Sequence, residues 1–361
     1  MTGASDLWLA LSPHGYGHAA MTAPVVAELR RRRPGLRLTI QTTLPREFLA
    51  NRYGADFTLV DEIPDFGFRM VSATDIDRGA SLAAYRTLHA DWPAAVEHEA
   101  ARFEAAKPNL VLANIPYITI AGAAAAGIPV IGLASLNWAD MCASVFAGMA
   151  GHEQAISEMR EAYGKAAVIL RTTPAMDMSL PNLRQIGPIA RRGADRRGEL
   201  RMRLGLADGV RVGLIGFGGI DHDAALGHMP YLPGWHWLST LAAPPRSDIV
   251  PWEAGGVPFA DLISSVDLVV SKVGYGTFTE AALAGTPVLY VERLDWPESP
   301  NLDLWLAAHT RCLAVSADRV FTNEFGHLVD SVLALPVRPK AEASGVAEAA
   351  DILEQALDNS L

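Results

Sequence analysis

Short apolar runs rich in β-branched residues recur along the chain, each bounded by glycine, proline or small polar residues. Between them lie longer segments in which apolar positions return every three or four residues. The short runs predict buried strands and the longer segments helices. In the first half, residues 7–12, 36–41, 57–60, 110–113, 129–133 and 167–170 read as strands, and residues 21–29, 81–107, 118–126 and 154–165 as helices. In the second half, residues 210–215, 266–270 and 288–291 are strong strand candidates, 236–239 and 247–250 weaker ones, and 259–265 a short helix. Regular alternation of strand and helix predicts an α/β chain built on parallel sheets. The alternation lapses between residues 172 and 198, where prolines, glycines and arginines gather, and then restarts. Two domains follow, over residues 1–182 and 183–340, with a crossing between them. The tail, 341–361, carries an amphipathic helix that packs on its own domain or back on the first.

The most informative junction is the end of the 266–270 strand, which runs through Ser271, Lys272, Val273, Gly274, Tyr275, Gly276 and Thr277 into an alanine-rich helical stretch. A helix that opens on glycines has unpaired first-turn N–H groups and no Cβ to hold another molecule off. Such a turn suits an anion. Glu280 stands one helical turn beyond Gly276, where a carboxylate can accept hydrogen bonds from ribose hydroxyls. The next strand ends in a polar loop holding Arg293, Glu298 and Asn301. A second glycine turn, containing Gly218 and Gly219, follows the 210–215 strand and opens on the same edge. One turn is available for each side of a diphosphate.

The first strand also ends in a glycine turn, His14, Gly15, Tyr16, Gly17, His18. A histidine at a helix N-terminus is kept neutral by the positive pole and can act as a base near pH 7. His18 is the first candidate and His14 the second. Asn137 and Trp138 follow another strand end on the same edge. Asp75-Ile76-Asp77 lies in a long loop rather than at a strand end, so it reads as loop structure, not as a metal motif. Asp221-His222-Asp223 is discounted in the same way, and no metal site is expected. The apolar run 141–150 reads as a buried helix start.

Composition narrows the class. A net charge of −10 argues against a general nucleic-acid binder. No apolar run reaches the roughly 18–20 residues that span a bilayer, and membrane contact is not expected. The N-terminus shows no signal-peptide pattern. The basic run Arg30-Arg31-Arg32-Arg33 reads as offsetting the negative pole of the preceding helix. Cys142 and Cys312 are far apart with no metal-ligand spacing, which fits a reducing cytoplasm.

With these residues in view, the second half resembles the donor-binding domain of GT-B glycosyltransferases, including the peptidoglycan N-acetylglucosaminyltransferase family. The whole chain is most similar to the glycosyltransferase-like N-terminal part of arabinokinase-type proteins, through the 14–19 turn, residues 135–138, and residues 274–277 continuing to 293–300. The resemblance implies two Rossmann-like parallel-sheet domains facing an interdomain cleft. It implies His18 as base, Glu280 on the donor ribose, and Gly218, Gly219, Gly276 and Thr277 facing the diphosphate, with Arg293, Glu298 and Asn301 reading the donor sugar. Gly15, Gly17, Asn137, Trp138, Ser271, Lys272, Gly274 and Tyr275 complete the expected substrate-binding set. The acidic-glutamine or paired-glutamine element usual near the donor sugar is replaced by Glu298-Ser299-Pro300-Asn301, and the chain carries no G-x-x-x-x-G-K-[ST] loop.

The implied activity is metal-independent transfer of a sugar from a UDP- or dTDP-linked donor to a small-molecule acceptor, with the nucleotide sugar as co-substrate and no cofactor. A nucleotide-sugar epimerase and a noncatalytic nucleotide-sugar-binding protein are the alternatives on the same fold.

Overall fold

The computed structural model describes residues 5–72, 74–217, 226, 228–240 and 246–358. Seven parallel strands form the first sheet: β1 (Asp6–Leu11), β2 (Arg37–Gln41), β3 (Thr58–Val60), β4 (Leu110–Asn114), β5 (Val130–Ala134), β6 (Val168–Arg171) and β7 (Leu183–Gln185), in the order β3-β2-β1-β4-β5-β6-β7. Six parallel strands form the second: β8 (Arg211–Gly216), β9 (Trp235–Ser239), β10 (Ile249–Pro251), β11 (Leu268–Lys272), β12 (Val288–Val291) and β13 (Cys312–Val315), in the order β10-β9-β8-β11-β12-β13. In each sheet the strand order reverses beside the first strand of the domain. The crevices between β1 and β4 and between β8 and β11 are therefore the places where such sheets hold ligands.

Because both faces of each sheet are covered, the central strands β4, β5 and β12 are buried along their whole length rather than at alternate positions. Along β1, Leu7, Leu9 and Leu11 enter a core cluster that continues into the second domain and the C-terminal helix, while Trp8 and Ala10 enter a separate cluster on the opposite face. The two domains thus share one core rather than meeting only at a hinge.

Several expectations are corrected. The strand Leu183–Gln185 pairs with β6, so the first sheet extends beyond residue 182. The segment expected as one helix over 81–107 is two, α3 (Arg78–Leu88) and α4 (Trp92–Ala106), because Asp91 caps a new start by accepting from Ala94 N, with Pro93 behind it in the first turn. Asp77 caps α3 in the same way, accepting from Ala80 N. The run 141–150 lies in and just after the buried helix α6 (Trp138–Val145).

The basic run at the end of α1 (Gly17–Arg32) does more than offset a dipole. Arg32 pairs with Glu28, Asp351 and Glu354, and Arg33 with Glu354 and Asp358, all but Glu28 on or just after the C-terminal helix Gly345–Leu357. Ala349, Ile352, Leu353 and Ala356 are the buried face of that helix. It packs against α1, so the tail of the chain straps the second domain to the first. Gly218, Gly219 and Asp221-His222-Asp223 lie outside the described residues.

Candidate functional site

On the first-domain side, Gly15 adopts φ 80°, a left-handed turn open to glycine, and α1 begins two residues later. His18, in its first turn, has Nδ1 2.7 Å from Oδ1 of Asn114, the last residue of β4. The amide of Asn114 is oriented by its own nitrogen, which donates to Leu133 O and to Met21 Sδ. Its oxygen must then accept, so Nδ1 of His18 carries the proton and Nε2 is left with a free lone pair. Burial pulls the His18 pKa down to about 4, against the opposing pull of the Asn114 bond. The ring is neutral at pH 7.

His14 is placed differently. Its ring stacks on Trp296 at 5.4 Å and 7° and meets the edge of Trp138 at 5.5 Å. It rests on Gly67, where a Cβ would come within 2.6 Å of the imidazole and 2.7 Å of Trp138. Burial, then the charges of His18, Arg293 and Lys272, lower its pKa to about 3. Trp296 also carries the Arg293 guanidinium, with Cζ 3.9 Å from the ring centre, and its Nε1 donates to Glu298 Oε2 at 3.1 Å. The loop after β12 thus reaches across the cleft and inserts one ring among the aromatic side chains of the first domain.

The second-domain side begins at Lys272, the end of β11, followed by Gly274 and the helix Tyr275–Ala284. The helical ladder starts with Phe278 N donating to Gly274 O, so the N–H groups of residues 275–277 make no bond within the helix. Gly276 faces α1, where a Cβ would lie 3.6 Å from Ala20. Burial and then Arg293 pull the Lys272 pKa down to about 7, opposed by Glu298. Burial brings Arg293 down to about 10, opposed by Asp295, Glu298 and Asp75. Glu298 is raised by burial, against hydrogen bonds from Ser135 and Trp296 and the charges of Arg293 and Lys272. Glu280 is 8% exposed and raised to about 7 by burial, with Arg52 and Arg191 acting against the shift. It makes no hydrogen bond to the described residues.

The fold therefore brings His14, His18, Lys272, Gly276, Arg293 and Glu298 together across the interdomain seam, with Gly15, Gly17, Gly274 and Thr277 on the same edges. Ser12 Oγ, Trp138 Nε1, Arg293 Nε, Glu298 Oε1 and Ser299 Oγ are buried there with no hydrogen-bond partner among the described residues. Buried groups of this kind ordinarily have a partner, whether protein, water or a ligand.

Four of the expected binding residues have polar atoms engaged within the protein. Asn137 Oδ1 caps α6 by accepting from Asp140 N at 2.9 Å. Ser271 Oγ donates to Gly216 O at 2.7 Å across the crevice between β11 and β8. Tyr275 accepts from Ile189 N at 2.9 Å and donates to Thr173 O, tying its helix to the crossing. Asn301 Nδ2 donates to Ala175 O at 2.9 Å. Each satisfies a backbone group that would otherwise be left unpaired at an element end or between the domains.

Sequence reasoning missed Asn114, Gly67, Ser135 and Trp296 as site residues. Asn114 carried a readable signal, since it ends an apolar strand beside the first strand's glycine turn. Among the described residues no cluster of His, Cys, Asp and Glu could hold a metal, and no helix is long and apolar enough to cross a membrane.

No protein-family model matches the chain. Over 309 residues, 80% of its length, the chain is 26% identical to L-arabinokinase of Arabidopsis thaliana, and it spans 28% of that protein. Among solved structures it is similar to the glycotransferase of kitacinnamycin (TM-score 0.62, 16% identity, 99% of this chain and 96% of that one). It is similar also to the calicheamicin glycosyltransferase CalG4 (TM-score 0.62, 16% identity, 98% of each chain). A third likeness is to the glycosyltransferase VinC in complex with dTDP (TM-score 0.56, 14% identity, 98% of this chain and 95% of that one). The fold is GT-B: two parallel-sheet α/β domains facing each other.

Proposed function

We propose that the chain is a glycosyltransferase that moves a sugar from a nucleoside diphosphate donor, UDP- or dTDP-linked, to a hydroxyl of a small acceptor held by the first domain. The observation that carries this reading is the His18–Asn114 pair. It presents a neutral imidazole with its free Nε2 at the seam where Lys272, Arg293 and an open helix N-terminus converge.

In the reaction, the acceptor hydroxyl gives its proton to Nε2 of His18 as its oxygen attacks the anomeric carbon, and the bond from that carbon to the diphosphate breaks. Negative charge gathers on the leaving diphosphate. Lys272, Arg293 and the N–H groups of residues 275–277 meet it without a metal ion being required. Lys272, poised at about 7, takes up a proton when the diphosphate arrives, since an opposite charge favours its charged form. Glu280, without an internal partner, accepts from the donor ribose. Trp296 and Glu298 stand where the donor sugar and the acceptor meet.

The named relatives support this reading at two levels. Two of the solved structures are glycosyltransferases named for kitacinnamycin and calicheamicin, and the third, VinC, holds dTDP. The arabinokinase match covers a part of that protein, so its kinase activity is not carried over. The link to peptidoglycan N-acetylglucosaminyltransferases rests on the donor half of the sequence alone. Cys142 and Cys312 are both free, which suits the reducing cytoplasm where we place the protein.

A thermal-shift panel of nucleoside diphosphates and their sugars identifies the donor, because a ligand that binds only the folded state raises the melting temperature. Release of nucleoside diphosphate that depends on acceptor supports transfer. Conversion of the donor with no acceptor present indicates an epimerase, and binding without turnover a noncatalytic protein. Glu280→Ala is expected to weaken the donor-induced shift while leaving the ligand-free melting temperature unlowered.

A further inference from the structure

The two crossings between the domains run side by side, with Gly345 N donating to Pro188 O at 3.1 Å and Gly187 N to Glu348 Oε2 at 3.2 Å. Where they meet the second domain they help to wall a cavity of about 440 Å³. Its lining includes Val266 and Asp267 just before β11, Pro287 just before β12 and Arg311 just before β13. In a parallel sheet these positions share one edge, the edge opposite Lys272. The cavity is separate from the cleft.

Four cations line it, Arg192, Arg197, Arg311 and Lys340, against two carboxylates, Asp195 and Asp267. The carboxylates are committed. Asp195 accepts from Arg197 N at 2.9 Å, while Asp267 accepts from Val212 N at 2.9 Å and pairs with Arg197. Arg311 uses Nη1 on Leu333 O at 2.7 Å. Arg192 and Lys340 have no hydrogen-bond or ion-pair partner among the described residues.

Closing the C-terminal end of the helix Tyr275–Ala284 does not require these cations. Ala281 O already accepts from Gly285 N and Thr286 N, and Ala282 O from Ala341 N. Gly285, at φ 77°, leaves space for the Lys340 side chain, since a Cβ there would meet Lys340 Cε at 2.7 Å. The lysine is thereby laid along the cavity wall.

We propose that this cavity binds a small phosphate-bearing anion. Two unpaired cations and the remaining guanidinium N–H groups of Arg311 face one concave space in a chain of net charge −10. Guanidinium forks match phosphate oxygens, and the volume falls within the roughly 300–1,000 Å³ of small-molecule sites. Arg192 on the first crossing and Lys340 on the second put the ligand in contact with both connections between the domains.

Calorimetric titration with inorganic pyrophosphate at fixed ionic strength tests the site. The proposed diphosphate position in the cleft is controlled for by Lys272→Ala. Wild type and Lys272→Ala are expected to bind saturably at the cavity, and Arg192→Ala/Lys340→Ala to lose at least tenfold in affinity for that site. Arg192→Lys/Lys340→Arg, which keeps both charges, is expected to retain binding. Both side chains are exposed, and circular dichroism confirms folding of each variant. Unchanged affinity in the alanine pair, or loss of all binding in Lys272→Ala, overturns the proposal. Failure of Lys272→Ala to alter donor binding would instead count against the transferase reading and leave this site standing.

Discussion

His18 Nδ1 and Asn114 Oδ1 lie 2.7 Å apart although 96 residues separate them in sequence. An amide at this position orients the imidazole but brings no charge to it, so burial prevails and the ring stays neutral far below pH 7. Asn114→Asp would place a carboxylate against Nδ1, and an adjacent opposite charge raises a histidine pKa by about 1–3. The acid limb of the kcat/KM profile is expected to move up toward neutrality by that amount. An unmoved limb would show that His18 is not the group titrating in the reaction. His18→Ala is expected to lower kcat by about 10²–10⁴-fold, the usual contribution of a general base, with nucleotide affinity nearly unchanged.

Gly67 forms the floor beneath His14. A methyl group there would meet the imidazole at 2.6 Å and Trp138 at 2.7 Å, and neither ring has room to withdraw, because His14 is backed by Trp296. Gly67→Ala is expected to cost about 1–3 kcal/mol, as overpacking usually does. Chemical denaturation measures it. A stability equal to wild type would mean that the loop carrying Gly67 adjusts freely.

Two partly buried neutral histidines make the fold sensitive to acid. His14 and His18 sit at about 3 and about 4 in the folded chain against 6.5 when exposed, so the unfolded chain binds more protons below pH 6.5. Their stability contribution is complete above pH 6.5 and is lost as the pH falls to about 4 and then about 3, worth about 3 kcal/mol for His18 alone. Glu280 has the opposite sign. Raised to about 7 from 4.5, it favours the folded state less and less as pH rises across that range. Glu280→Gln is therefore expected to steepen the gain in unfolding free energy between about pH 4.5 and 6.5. A slope unchanged from wild type would place the Glu280 carboxyl in water.

The strap between α1 and the C-terminal helix combines ion pairs with an apolar face. The pairs of Arg32 and Arg33 with Asp351, Glu354 and Asp358 are partly exposed, so Arg32→Ala/Arg33→Ala is expected to cost about 1–2 kcal/mol, most of it screened out in high salt. Removing residues 345–361 strips away the buried Ile352, Leu353 and Leu357 and is expected to cost more than the charge variants at any salt concentration. Urea titrations at two ionic strengths separate the contributions. Equal losses would assign the whole strap to charge.

The local pattern of the chain already contains its strands except Leu183–Gln185 and Cys312–Val315, most of its helices and both glycine turns that open on the seam, because burial on a sheet or along a helix repeats within a few residues. His14, His18, Lys272 and Glu280 are legible for the same reason: each stands at a strand end or one turn into a helix. Only tertiary structure decides partners. The strand Leu183–Gln185 joins the first sheet because its hydrogen bonds go to β6, a choice that no short window of sequence displays. Asn114 becomes the orienting group of His18 through the adjacency of β1 and β4, and Trp296 enters the first domain because the second folds against it. Asn137, Ser271, Tyr275 and Asn301 have the chemistry of ligand contacts, yet the backbone groups beside them claim their polar atoms first. Periodicity is set by neighbours along the chain, whereas the use of each polar atom is set by whatever packing brings within hydrogen-bonding distance.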